Sequence, residues 1–414
     1  MTTPGASGTR TGLLPDVLDR DAIEAWVAEH LGDLTLDPDV VGSPAFRGGQ
    51  QAADAALASL EITGYRRDRS QVLPVEDRGA SRMSPWIRHG LLQLRTVWDA
   101  VEDAPAGDRT KYRDELLWQE YSRHWYARLG TRTRDGVRNE VAAHQSWGDP
   151  WPRGMACMDA TVDELERDGW LVNQTRMWLA AQWSARAGVD WRDGEDRFFR
   201  HLLDGSRAAN RAGWQWTTGA GSHKSYGLSR SQVEKRAPVL CRECPLSNDC
   251  PIEDWPEAPD LRPVREPLLR SDPDLAATAG PASPAVAGTP DAVWLTAESL
   301  GDADPALAAH PDLPVVFVFD APLLSRLRLA SKRLVFLTEC LADLAARRDL
   351  EVHVGDPVDV LAGRPLAVTF APVPGFRTRA AGLDVVATHA WPWLSRPHAG
   401  SIQSFTAWRK GIDL

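Results

Sequence analysis

The sequence contains no apolar run long enough to cross a membrane. Its longest, Leu313–Phe319, has the length of a buried strand and falls far short of the roughly 20 residues that a spanning helix needs. The opening residues, Met-Thr-Thr-Pro-Gly-Ala-Ser-Gly, lack the basic and apolar regions of a secretory signal, so no export is expected. Positive charge is in deficit: 47 Lys and Arg stand against 57 Asp and Glu, a formal net charge of -10. That balance argues against a non-specific coat on nucleic acid. A local basic face stays open, because Arg200, Arg207, Arg211, Lys224, Arg230, Lys235 and Arg236 are opposed over that stretch only by Asp204 and Glu234. Cysteine is scarce as well. There are 5, an odd number, and the crowding of three of them suits a metal site in a reducing cytoplasm better than a disulfide framework.

Tryptophan is the residue in excess, with 18 in the chain, most of them between Trp86 and Trp255. At 414 residues the chain is long enough for two cores. Residues 1–20 read as a flexible leader, 21–265 as a helical domain, 266–290 as a Pro- and Ala-rich linker, and 291–414 as an α/β domain. In the first domain Asp21 is placed to cap a helix through Leu31, Ala52–Leu60 reads as another, and Tyr65–Gly79 as loop. Tyr112–Arg128 reads as one long helix on which Glu115 and Trp118 share a face. Ser84 is placed to cap a helix with Pro85 at its first position, and such a terminus is a natural phosphate site. From Gly154 to Trp216, amphipathic segments join at Gly. After residue 290 the pattern changes. Strand candidates Ala292–Thr296, Pro314–Phe319, Glu351–Val354, Leu366–Phe370 and Val385–His389 alternate with helical patterns such as Leu323–Arg348. The expectation is a doubly wound parallel α/β domain. No Gly-rich loop follows its first strand, so no dinucleotide is expected there.

Cys241, Cys244 and Cys250 form C-x2-C-x5-C, and Cys157 lies 84 residues upstream of the first. On the residues alone an iron–sulfur cluster, a four-thiolate zinc site and ordinary core cysteines all stay open. Cys340, within an apolar helical pattern, is read as packing.

The sequence Gly-Trp-Leu-Val-Asn-Gln-Thr-Arg-Met at 169–177, Asp-Trp-Arg-Asp-Gly-Glu at 190–195, and Leu-Asp-Gly-Ser-Arg-Ala-Ala-Asn-Arg-Ala-Gly-Trp-Gln-Trp at 203–216 resembles the flavin-binding core of the photolyase and cryptochrome family. The resemblance implies a helical FAD-binding domain. Tyr65, Ser81, Arg82, Met83, Ser84, Tyr112, Arg176, Asp204, Gly205, Ser206 and Asn210 would hold the cofactor. Arg176 and Asp204 would form a buried ion pair beside the ring system, and Asn210 would face flavin N5. Ala80, Met83, Gln119, Gln174 and Ser206 depart from the family's usual residues. Trp214 and Trp191 match the inner members of the tryptophan chain that reduces the excited flavin. The outer member falls near Arg138 and Asn139, where there is no Trp, so Trp147 or Trp151 would have to substitute.

Arg69, Glu115, Trp118, Asn173, Met177 and Trp216 match the lesion side, with Glu115 hydrogen-bonding damaged bases. The implied partner is UV-damaged DNA and the implied reaction light-driven splitting of cyclobutane pyrimidine dimers by a monomeric enzyme. The His on which (6-4) photolyases depend is absent at Val172-Asn173. The four cysteines Cys157, Cys241, Cys244 and Cys250 resemble those of the iron–sulfur branch, implying a [4Fe-4S] cluster, a branch associated with (6-4) repair. The α/β domain resembles the family's antenna domain, which normally comes first, so the order here reads as a circular permutation; no antenna chromophore is identified. A cryptochrome-like photoreceptor without repair activity and a (6-4) photolyase are the alternative functions.

Overall fold

A computed structural model describes residues 10–11, 14–15, 19–144 and 148–414. The chain divides into two compact units, each built from three pieces. Residues 1–59, 83–97 and 276–394 contribute to an α/β unit, and residues 60–82, 98–275 and 395–414 to a helical unit. These boundaries differ from the contiguous ones expected from sequence.

The α/β unit is built on five parallel strands, β1 (Ala292–Leu295), β2 (Val315–Asp320), β3 (Leu350–Gly355), β4 (Leu366–Thr369) and β5 (Val385–His389). Their spatial order is β3-β2-β1-β4-β5. Every residue of β1 and β4 is buried, which is why these strands read as continuous apolar runs: a central parallel strand is covered on both faces. Arg10–Thr11 pairs antiparallel with β3, and Ala285–Val286 pairs antiparallel with β5. The rest of the expected leader lies mainly outside the described residues.

Aspartates set the starts of several short helices in this unit. Asp304, Asp320 and Asp356 accept hydrogen bonds from backbone N–H groups of Leu307, Leu323 and Val358 at 2.9 Å each, with Pro following closely. The helical pattern expected over Leu323–Arg348 is broken: Ala321–Leu327 and Ser331–Ala345 are separate helices, interrupted where Arg328 takes φ 50°. Left-handed backbone at a residue other than Gly carries no sequence signature. The second helix is buried almost throughout and packs on Arg20–Leu31. This explains why residues 20–59 belong to the sheet. Arg20 reaches Glu339 at 2.8 Å inside the same layer.

Strand order reverses between β1 and β4, the place where open α/β sheets leave a crevice for ligands. Here the loop after β1 is covered by the segment 83–97. Arg88 makes two bonds to Glu298, at 2.6 and 2.8 Å, and His89 Nδ1 meets the Ala297 carbonyl at 2.8 Å. Leu300 N–H donates to the His89 carbonyl at 2.8 Å.

The helical unit contains α1 (Ala106–Leu129), α2 (Ala156–Asp168), α3 (Asn173–Ala181), α4 (Trp191–His201), α5 (Ala209–Thr218), α6 (Arg230–Arg236) and α7 (Pro238–Arg242). On α4 the residues Trp191, Gly194, Glu195, Phe198 and His201 are buried, a stripe at helical spacing. Asp190 caps that helix through the Arg192 N–H at 3.0 Å. The core gathers Trp151, Met158, Leu165, Trp178, Phe198 and Trp214. The stretch expected as loop after Tyr65 begins with a helical turn, Tyr65–Asp68. Within the expected linker, Leu275–Ala279 is helical, and Leu269 and Ala279 are buried. No helix among the described residues is long and apolar enough to cross a membrane.

Candidate functional site

At the junction of α3, α4 and α5 the sequence places an Arg, an Asp and an Asn within reach of one another. Arg176 lies on α3, and Asp204 lies in the turn between α4 and α5. Arg176 donates to Asp204 through Nη1 at 3.1 Å and Nη2 at 2.8 Å, a bidentate pair. Its Nη1 also donates to Asn210 Oδ1 at 3.0 Å, and its Nε to the Leu171 carbonyl at 3.0 Å. The side chains of Arg176 and Asp204 are 17% and 7% exposed. Since Arg176 claims the Asn210 carbonyl, the amide orientation is set. Asn210 Nδ2 makes only a long contact of 3.4 Å to the Asp204 carbonyl and is left as a donor. Ser206 Oγ accepts from Ala209 N–H at 3.0 Å at the start of α5, so its hydroxyl serves the turn.

Tyr112 on α1 stands edge-on to Tyr65, with centroids 5.0 Å apart at 89°. Burial pushes the Tyr112 phenol up to about 12; Ser81 draws it back slightly without completing a hydrogen bond. Burial and the nearby Glu115 carboxylate raise Tyr65 as well. Tyr112 Oη and Trp214 Nε1 are buried without a partner among the described residues. A buried polar atom left open costs about 1–3 kcal/mol, so the Tyr112 hydroxyl fits a polar ligand that supplies the missing partner. Arg82, in left-handed backbone at φ 61°, sets its guanidinium 5.6 Å from the Trp170 ring. Met83 and Ser84 belong to the α/β unit, where Ser84 opens a helix running to Arg88 with Pro85 second. The helix thus begins one residue earlier than expected, and Met83 rather than Ser84 holds the cap position.

A family model described as the FAD binding domain of DNA photolyase matches residues 112–234. Through that segment the chain resembles the photolyase and cryptochrome family. The deoxyribodipyrimidine photo-lyase of Thermus thermophilus is 32% identical over 194 residues, covering 44% of this chain and 45% of that protein. The photo-lyase of Synechococcus sp. is 30% identical over 193 residues, covering 42% of this chain and 39% of that protein. The chain therefore spans less than half the length of these relatives. The cryptochrome structure from Synechocystis sp. has 23% identity and a TM-score of 0.44, over 50% of this chain and 48% of that one.

Within the matched segment, Trp191 and Trp214 are both 2% exposed. The Trp214 ring meets Phe198 at 5.1 Å and Trp183 at 6.4 Å, and Trp183 meets Trp151 at 5.0 Å. Trp183 is a member of this aromatic series that sequence reasoning missed; its wide helical turn, 182–186, has no signal in composition. Trp147 lies outside the described residues.

Among the residues expected to face a lesion, Glu115 accepts from Lys111 Nζ at 2.7 Å and pairs with Arg69 Nε at 3.4 Å. Asn173 is exposed at the start of α3, and Met177 is half-buried one turn on. Trp118 and Trp216 are 39% and 49% exposed, which is unusual for so large an apolar side chain. The expected basic face is mostly neutralised. Arg207 and Arg211 share Glu195, and Arg230 pairs with Glu234 and Glu253 at 2.8 and 2.9 Å. Lys224 and Lys235 stay exposed.

Cys157, Cys241, Cys244 and Cys250 line one cavity together with Met155, Arg230, Leu240, Ser247 and Ile252. Burial, and then the other three thiols, push Cys157 up to about 12. Among the described residues no three His, Cys, Asp or Glu converge closely enough for a single metal ion. Arg186 straps this corner by donating to the Leu228 carbonyl at 2.8 Å and the Pro251 carbonyl at 3.1 Å. Cys340 is buried in the α/β unit, where its sulfur accepts from Gly49 N–H at 3.2 Å.

Proposed function

We propose that this protein is an FAD-dependent, light-driven DNA repair enzyme that splits cyclobutane pyrimidine dimers in UV-damaged DNA. The observation that carries the reading is the buried Arg176–Asp204–Asn210 constellation inside the segment matched by the photolyase FAD-binding family. Bound FAD supplies light absorption and a transferable electron. Arg176 and Asp204 fix one edge of its pocket, Asn210 offers an amide donor toward it, and Tyr65 and Tyr112 wall off water. Gly205 is assigned to the ring pocket, and Ser81 and Arg82 to the diphosphate. Trp214 and Trp191 are the inner electron donors; Trp183 and Trp151 extend the aromatic series from Trp214, and Trp151 is fully buried, so it does not serve as the outer member. Glu115 and Asn173 would hydrogen-bond the lesion while Trp118, Met177 and Trp216 pack against its bases.

The four cysteines would hold a [4Fe-4S] cluster. What supports this reading is that all four cysteines line one cavity. The parallel sheet strands follow the matched helical segment in chain order, which supports reading the α/β part as a permuted, Rossmann-like antenna domain. A monomeric cytoplasmic enzyme completes the reading.

One observation favours a second reading, a cryptochrome-like sensor without repair: the Glu115 carboxylate is already held by Lys111. The ultraviolet–visible spectrum of protein purified without oxygen separates the two, taken before and after blue light with dimer-containing DNA. Flavin bands with loss of dimers only in light establish repair. Flavin that photoreduces while dimers persist leaves the sensor, and absence of flavin overturns both.

A further inference from the structure

The last twenty residues of the chain belong to the helical unit and are held against α1 by buried polar contacts. Trp408 is fully buried, and its Nε1 donates to His124 Nδ1 at 2.8 Å. The other nitrogen of His124 meets the Ser395 carbonyl at 2.9 Å, and Tyr121 Oη donates to the Ile402 carbonyl at 2.9 Å. Ser404 caps the short terminal helix through Ala407 N–H at 3.1 Å, and Arg409 reaches Asp114 at 2.6 Å. This anchoring fixes one ring in particular. Phe405 lies parallel to Trp118, with centroids 4.2 Å apart and planes 7° apart. Tyr121 closes the side of the stack, edge-on to Trp118 at 5.6 Å and to Phe405 at 5.9 Å.

An indole has two faces, and Phe405 occupies one of them. Trp118 nevertheless keeps 39% of its surface exposed, which leaves its opposite face and outer edge open, one helical turn from Glu115. The geometry points to Phe405 as a positioning residue for nucleic acid: it backs the Trp118 indole so that an unpaired base stacks on the free face, in the order base, Trp118, Phe405. A lone exposed Trp side chain loses rotamer freedom when a base stacks on it. Here the C-terminal anchor has already removed that freedom, so more of the stacking energy appears as affinity. The inference rests on the reading of Trp118 as facing DNA.

The test is dark binding, by fluorescence anisotropy, of labelled single-stranded oligonucleotides with and without one thymine dimer. The proteins are the 414-residue chain and its F405A, F405Y and W118A variants, each checked for unchanged flavin content. An aromatic stack contributes roughly 0.5–1.5 kcal/mol. F405A should therefore weaken binding of the dimer-bearing strand by about 2- to 12-fold, with a smaller effect on the undamaged strand, and F405Y should restore it. A merely structural role would weaken both strands alike and would not separate F405A from F405Y by lesion. Tighter binding by F405A would mean that the ring occupies the base site, and would overturn the proposal. Unchanged binding by F405A with weakened binding by W118A overturns it while sparing the role of Trp118. Unchanged binding by both variants removes that role too.

Discussion

Replacing Asp204 by Asn keeps the volume of the side chain and deletes its charge, so it isolates what the buried pair contributes. In D204N the amide nitrogen faces one guanidinium N–H, and one of the two bonds, at 2.8 or 3.1 Å, is lost outright. Removing one partner from a buried pair costs about 3–5 kcal/mol. Arg176 is 17% exposed and keeps the Leu171 carbonyl and Asn210 Oδ1, so the lower end, about 3 kcal/mol, applies. For a domain of this size each kcal/mol moves the melting temperature by about 2–4 °C. The tryptophan-fluorescence melt of the helical unit should fall by about 6–12 °C, and flavin should be lost on gel filtration. Arg176→Met and the double variant complete the cycle. Because the Met variant leaves Asp204, 7% exposed, uncompensated, the double variant should be less damaged than the sum of the singles. A shift of about 2 °C or less in D204N, or strict additivity in the cycle, would refute the claim that these side chains act as a pair.

Two glycines on neighbouring helices should respond to alanine with opposite sign. A Cβ at Gly194 would stand 2.3 Å from Trp214 Cη2 and 2.9 Å from Trp183 Cδ2, whereas nothing lies within 4 Å of one at Gly213. G194A should destabilise by about 1–3 kcal/mol and slow light-driven flavin reduction, while G213A should stabilise by up to about 1 kcal/mol, both read from urea midpoints. Burial and the neighbouring His310, 3.1 Å away between Nε2 atoms, hold His389 below its ordinary 6.5. Below that pH the unfolded chain takes the proton first, so the α/β unit should lose stability as pH falls from 6.5. Urea midpoints between about pH 8 and pH 5 check the slope, and H389Q should flatten it. Cys157→Ser and Cys241→Ser should each abolish iron and sulfide recovered with anaerobically purified protein; full retention in both would exclude these ligands.

Much of this was legible where burial and covalent spacing act locally. Strand β1 and all of β4 but Thr369 are apolar because both faces are covered, and α1 and α4 carry their buried stripes in register. The Arg176–Asp204–Asn210 group was legible only through resemblance, since 28 residues separate the pair and nothing local brings them together. What escaped had no local cause. Arg328 takes left-handed backbone without Gly, and the wide turn at 182–186 aims Trp183 at Trp214. Arg88 and His89 leave the expected helical domain for the sheet because Glu298 and Ala297 provide matched partners. Phe405 reaches Trp118 across 287 residues, a contact that only the completed fold creates.

The interleaving of the two units has a consequence for synthesis. The chain enters the sheet, leaves it after Ser59, returns at Met83, departs again at Trp98, and comes back at Ala276, before ending on α1. During translation the sheet waits for Val385–His389, and α1 waits for Trp408. Domains ordinarily mature one after another from the ribosome, N-terminal first. An expression fragment cut at residue 265 or 290 would expose the bed of Trp408 on α1 and split the sheet from Arg20–Leu31.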